Sequence, residues 1–374
     1  MMLWPRPRSF LVVIVLALAV SACSVAPRKG PDAGEGEPRR DALASLNLAP
    51  DLEERILALD PKRISDKDVR ETLAAGPAPQ IIGLHGGIYP VHLAMETFAR
   101  FLRDMGYPID RIRNPGDGRL SHSPYENSAQ IAGLIAWYYE RDGLRPMMIG
   151  HSQGGMQAVK VLHELNGEFD ESIPVWNPLT DAAEERTTII DPITRRERPV
   201  IGLKTSYVSA VAAGGAAMLL PNQWIMAGRL RTIPDTTVEF TGFFIGVDLV
   251  AWNTEGDAKS DAYHHNGMAE VRNVTLPASY NHVLIPVTRH LSRDPKMRAW
   301  INHYTPYART HPPIPEGDSD NLLWAADVWF SIKKHWCLEL QRLIRAKRTM
   351  QQARRTSEAA EPRKPIREGS IPSS

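Results

Sequence analysis

Residues Pro146 to Gly155 read Pro-Met-Met-Ile-Gly-His-Ser-Gln-Gly-Gly, and this stretch constrains the fold more than any other in the chain. The apolar run Met147 to Ile149 predicts a buried strand. Gly150-His151-Ser152-Gln153-Gly154 then matches G-x-S-x-G, and a segment with helical spacing follows at once. A serine on so sharp a strand-to-helix turn takes strained backbone geometry, and glycines two residues to either side keep Cβ atoms from colliding where strand and helix cross. The helix behind Ser152 opens with free N–H groups and a positive dipole end, a setting that favours negative charge developing beside the serine oxygen.

Upstream, Gln80-Ile81-Ile82-Gly83-Leu84-His85-Gly86-Gly87 is a second short apolar run, ending in His-Gly-Gly. On these two motifs the chain resembles the α/β-hydrolase family. In that family one oxyanion N–H comes from the residue after the nucleophile and the other from the loop after the third strand. The resemblance therefore implies Ser152 as nucleophile, with the backbone N–H groups of Gln153 and Gly87 as oxyanion donors.

Between about Asp51 and Ile344, short apolar strands alternate with amphipathic helices, which predicts an α/β fold with a mostly parallel sheet flanked by helices. A helix is expected from about Val91 to Met105, stopped by Gly106, and a brief strand near Ile109 to Ile112. Ser123-Pro124-Tyr125-Glu126 reads as a capping box opening a helix that Gly143 closes. Periodicity disappears from Glu168 to about Pro199, and this stretch, about 168–200, is expected to be an insertion over the site. A second insertion or cap is expected at about 216–235, where Met218, Leu219, Leu220, Trp224, Ile225 and Met226 gather. Val238 to Val247 reads as a strand with Asp248 at its end, and Val271 to Leu276 as the last strand, followed by His282.

The family places its general base on the loop after the last strand, and the order Ser, acid, His matches. The resemblance thus implies His282 as base. For the acid the candidates are Asp248 and Asp257; Asp248 is favoured because it directly follows a strand, whereas Asp257 sits deeper in a polar loop. His85, His151, His264, His265, His290, His303, His311 and His335 lack the placement of His282. A long helix is expected over Leu322 to Ile344.

The chain begins with Arg6 and Arg8, then an apolar run from Phe10 to Val20 that is short for a permanent bilayer span. Val20-Ser21-Ala22-Cys23 resembles the lipobox of bacterial lipoproteins, which implies a signal peptide over residues 1–22, acylation of Cys23 and a lipid anchor in the membrane. The residue after Cys23 is Ser24, not aspartate, which by resemblance to Gram-negative lipoproteins implies the outer membrane, facing the periplasm. Of the two cysteines, Cys23 and Cys337, no disulfide framework can be made. Residues 23–50 are expected to be a tether, and 345–374 a disordered basic tail.

A formal net charge of +1 implies no bulk affinity for nucleic acid. No cofactor is expected: no metal-ligand spacing occurs, and no G-x-G-x-x-G follows a strand. The expected activity is serine hydrolysis of carboxylic esters, lipids among them. The alternative is a catalytically inactive lipoprotein that keeps the fold as a binding or scaffolding protein; amide and thioester hydrolysis would use the same residues.

Overall fold

The computed structural model describes residues 42–219, 221–248, 250–251 and 261–360. Four short helical segments come first: α1 (Ala42–Ser45), α2 (Pro50–Ala58), α3 (Asp66–Glu71) and a 3₁₀ turn over Leu73–Ala75. The core of the molecule is a five-stranded, fully parallel sheet built from β1 (Ile81–Leu84), β2 (Met147–His151), β7 (Thr205–Val211), β9 (Thr237–Ile245) and β11 (Glu270–Leu276). The remaining strands, β3 (Trp176–Asn177), β4 (Ala182–Ala183), β5 (Thr188–Ile190), β6 (Glu197–Pro199), β8 (Thr232–Ile233) and β10 (His264–His265), form two-stranded pairs outside it. Spatial order in the large sheet, β1-β2-β7-β9-β11, follows chain order.

Both faces of the sheet are covered, so β1, β2, β7 and nearly all of β9 are buried along their length, whereas the edge strand β11, Glu-Val-Arg-Asn-Val-Thr-Leu, is only partly buried. Side chains alternate strictly between the two faces, as the two-residue period of a strand requires. Ile81, Met147, Ile149, Tyr207, Val211, Phe243 and Ile245 enter one core with helix α4 (Tyr89–Met105) and the long C-terminal helix. Ile82, Leu84, Met148, Val208, Ala210, Phe240 and Phe244 enter the other with α5 (Ser128–Asp142) and α6 (Gln153–Leu165). After β11 come α7 (Arg289–Arg293), α8 (Pro295–His303) and α9 (Leu322–Ala360). Trp324, Trp329 and Trp336 on α9 are fully buried against the first face.

Several expectations are corrected. Residues 42–50 are not tether, because Leu43 and Leu46 are buried in the first core. Ile109–Arg111 is a 3₁₀ turn, not a strand; a single parallel bridge from Leu84 to His122 lies beside β1 instead. Helix α5 starts at Ser128 with Asn127 as its cap, Asn127 Oδ1 accepting from the Ala129 N–H. The Glu126 carboxylate does accept from Ser123 N–H, but it is also shared with His122, so the capping-box residues build a turn ahead of the helix. Helix α9 runs to Ala360 where a disordered tail was expected. Residues 345–360 are mostly Ala, Arg, Lys, Gln and Glu, all strong helix formers, and Lys347 and Arg348 bond Glu53 on α2. Residues 361–374 lie outside the described residues, as do Cys23 and the proposed signal peptide and tether before residue 42.

The stretch at 168–200 folds into two small hairpins, β3 (Trp176–Asn177) with β4 (Ala182–Ala183) and β5 (Thr188–Ile190) with β6 (Glu197–Pro199). They pack along α5 and not over Ser152: Gly133 of α5 abuts Pro174 and Trp176, the Ile190 N–H donates to Glu140 at 2.7 Å, and Arg186 pairs with Glu140 at 2.7 Å. Glu140 belongs to the end of α5 that leads into the start of β2, the opposite edge of the sheet from the serine. The stretch at 216–235 starts where the strands end and returns to the edge where they begin, the Thr232 carbonyl lying 3.0 Å from His163 Nε2 near the end of α6. It contains 3₁₀ turns at Gly215–Leu219 and Pro221–Met226, and Gly215 approaches the backbone of Val250 and Ala251, beyond the end of β9. Among the described residues no helix is long and apolar enough to cross a membrane.

Candidate active site

Ser152 caps α6 with φ 55° and ψ −123°, a left-handed conformation that costs a non-glycine residue of order 1–3 kcal/mol. The fold over-determines it. The Ser152 N–H is bonded to the Val211 carbonyl of β7 at 2.8 Å, and the Ser152 carbonyl accepts from Gly155 and Met156 as the helix begins. A Cβ on Gly154 would fall onto the carbonyl oxygens of Leu84 and His85, and one on Gly150 onto the backbone of Gly154 and Gly155. These glycines let the strand β2, the helix α6 and the end of β1 meet within backbone contact distance.

The parallel sheet sends every loop at its carboxyl edge toward this serine. His282, on the turn after β11, places Nε2 2.9 Å from Ser152 Oγ, and its Nδ1 lies 2.6 Å from Asp248 Oδ2. Asp248 is buried just past β9, and its Oδ1 accepts the N–H groups of Val250 and Ala251, each at 3.0 Å. Burial alone would raise the Asp248 pKa. The hydrogen bond and charge of His282, with the two N–H groups, outweigh that and hold the carboxyl below its usual value. The other acid considered, Asp257, lies outside the described residues.

Gln153 and Gly87 also come together at the serine. Gln153 opens α6, so its N–H has no partner within the helix. Its side chain packs against Gly87, which Tyr125 holds by donating its hydroxyl to the Gly87 carbonyl at 3.1 Å. His85 Nδ1 lies 2.7 Å from the Gly86 carbonyl and must donate to it. Burial drops the His85 pKa to about 4, so the ring is a neutral donor near neutrality. In a trans peptide C=O and N–H point opposite ways, so fixing the Gly86 carbonyl also fixes the direction of the Gly87 N–H. No intramolecular acceptor takes that N–H among the described residues.

Four of the residues read from sequence, Ser152, His282, Asp248 and Gln153, thus surround one point, with Gly87 beside it. Sequence reasoning missed Tyr125, which was read only as a helix-opening residue, and gave His85 and His151 no role of their own. Other titratable groups are placed elsewhere. His335 pairs with Glu239 beneath the sheet, His264 and His265 form the short strand β10, and Cys337 is buried. A cleft of about 860 Å³ lined by Trp137, Arg111 and Gln80 opens at the edge where the strands begin, remote from Ser152. No group of three or more His, Cys, Asp or Glu among the described residues is arranged to hold a metal ion. Compared with known proteins, the chain matches no family model and no curated protein.

Proposed function

We propose that this protein is a serine hydrolase of the α/β-hydrolase type that cleaves carboxylic esters through an acyl-enzyme. The observation that carries the reading is the unbroken hydrogen-bonded line from Ser152 Oγ through His282 to Asp248, at 2.9 and 2.6 Å, on a serine in strained backbone geometry. Ser152 Oγ attacks the ester carbonyl while its proton passes to His282 Nε2. The resulting oxyanion is received by the N–H groups of Gln153 and Gly87. Collapse expels the alcohol, which takes the proton from His282. Water then attacks the acyl-enzyme, His282 accepts its proton, and the carboxylic acid departs as Ser152 is reprotonated. Asp248 holds the imidazole in the required tautomer and stabilises the imidazolium.

The surroundings favour an apolar acyl group, lipid esters included. Residues 85–95, 212–228 and 277–288, which follow three of the five strand ends, contain no Asp, Glu, Lys or Arg, although 23% of the chain is charged. They expose Tyr89, Leu219, Trp224 and Leu284, and Val247 and Val250 flank Asp248. Exposed apolar surface concentrated at one edge marks a place where something apolar binds. With acylation of Cys23, the enzyme would act from a lipid anchor in the bacterial envelope, at the periplasmic face of the outer membrane.

A fluorophosphonate probe tests the reading. Labelling at Ser152, lost together with ester hydrolysis in a folded Ser152→Ala variant, is the expected result. A folded wild-type protein that neither labels nor turns over esters would replace the enzyme by a scaffold with the same fold.

A further inference from the structure

We propose that His151, the residue between Gly150 and the serine, is a positioning residue that clamps the backbone of His282 and so sets the distance between base and nucleophile. The inference deepens the serine-hydrolase reading and rests on it.

His151 is the last residue of β2 and is fully buried. Its Nε2 lies 2.6 Å from the backbone carbonyl oxygen of His282, and the two imidazole rings are 5.4 Å apart. A carbonyl can only accept, so Nε2 carries the proton and Nδ1 is bare. Nδ1 is buried without a hydrogen-bond partner and faces Gly86. A second proton there would point into the His85–Gly87 loop with nothing to receive it. Burial, and next the neighbouring His282, push the His151 pKa down to about 3. The ring is therefore a neutral donor near neutrality, and it adds no charge against an imidazolium at His282.

The need for such a clamp follows from where the base sits. His282 lies on a turn, outside any helix or strand. The following stretch is tied down by Asn321, whose amide donates to the carbonyls of Leu284 and Val287, and by Thr97, which donates to that of Pro286. These anchors hold the loop to α9 and α4, not to the nucleophile. His151 supplies that link: the same strand end that delivers Ser152 also grips the peptide of its base. Base and nucleophile are thereby referenced to adjacent residues, His151 at the end of a fully buried strand and Ser152 on the turn that follows it.

The test compares His151→Gln, whose amide N–H reaches the Nε2 position, with His151→Phe, which fills the ring volume and cannot donate. For His151→Phe, kcat on an ester substrate is expected to fall on the order of 10²-fold with KM unchanged, since a misplacement near 1 Å costs about that much. His151→Gln is expected to keep kcat within several-fold of wild type, and both variants to melt near the wild-type temperature. A readout independent of turnover is the far-downfield proton resonance of the His282–Asp248 hydrogen bond, expected to persist in His151→Gln and to broaden or vanish in His151→Phe. Should His151→Phe not fold, His151→Asn replaces it; its amide is too short to reach the His282 carbonyl, and the same losses are expected. Equal effects of the Gln and Phe variants, or no effect of either, would overturn the clamp. A wild-type protein that shows the resonance, with the variant pattern expected, but hydrolyses no ester would overturn the hydrolase reading and leave the clamp standing.

Discussion

His282 Nδ1 lies 2.6 Å from Asp248 Oδ2, although 34 residues separate the two in the chain. Parallel pairing of β9 and β11 makes the meeting possible, because Ile245 is in register with Leu276 and both strands end at one edge. If Asp248 orients the base, Asp248→Asn should lower kcat by up to about 10⁴ and leave KM comparatively unchanged. Asp257→Asn, made in parallel, should turn over nearly normally. A large loss in the second variant with little in the first would move the acid to Asp257.

Gly154→Ala tests the backbone packing around the serine. The added methyl would strike the carbonyl oxygens of Leu84 and His85, and backbone cannot swing aside as a side chain can. Overpacking of this kind costs about 1–3 kcal/mol. Thermal unfolding should shift down accordingly, and labelling of Ser152 should slow beyond what the lost stability explains, because β1 leads directly into the His85–Gly87 loop. A variant as stable and as reactive as wild type would show that the contact is not needed.

A third prediction concerns charge buried far from the serine. Glu239 on β9 is buried and bonds Lys334 and His335 of α9, with Arg272 of β11 3.6 Å away. Burial would raise its pKa, but His335 and then Lys334 more than reverse this and hold it at about 2. A carboxyl whose folded pKa lies below the unfolded value of roughly 4.3 stabilises the fold above that value, and the contribution drains away as pH falls toward 2. Melting temperature should therefore drop between about pH 4 and pH 2 in wild type. Glu239→Gln should lose about 3–5 kcal/mol near neutrality, the usual cost of leaving a buried cation without its anion, and show a shallower acid decline. Identical acid profiles for the two proteins would remove Glu239 from the account.

Cys23→Ser addresses location. The resemblance to a lipobox implies that processing waits on acylation of the cysteine, so the variant should accumulate as an uncleaved precursor without lipid. Mass spectrometry of the N-terminus reads this directly. A mature wild-type N-terminus at Ser24 or beyond, with no acyl group, would mean a freely secreted protein.

What could be read from sequence was what is encoded locally. The strand, the Gly-x-Ser-x-Gly turn and the helix behind it occupy adjacent residues, so Ser152 and Gln153 follow from one short pattern. Asp248 was legible because it directly follows an apolar run, and His282 because it lies on the loop after the last strand; a parallel sheet brings such positions to one edge. Tertiary choices escaped. Ser123 to Glu126 satisfies the capping-box pattern, yet Glu126 is drawn to His122 and the helix opens later, at Asn127. The stretch at 168–200 carried no periodicity to say which surface it covers, and α5 claims it through Gly133 and Glu140. The tail beyond Ile344 lacks an apolar face, but its propensity and the pull of Glu53 suffice for helix. His151 gave no signal, since its partner stands 131 residues away.

The match between strand order and chain order has a consequence for how the molecule is born. Domains take shape from the N-terminus as synthesis proceeds, and here each large-sheet strand can dock on the one made before it, so the sheet widens from one side. Ser152 is among the first parts in place. His282 arrives behind the very last strand, and the tryptophan-bearing helix that seals one face comes later still. On the proposed serine-hydrolase reading, a chain whose last strand has not yet docked carries its serine without a base, and reactivity would wait for the finished sheet.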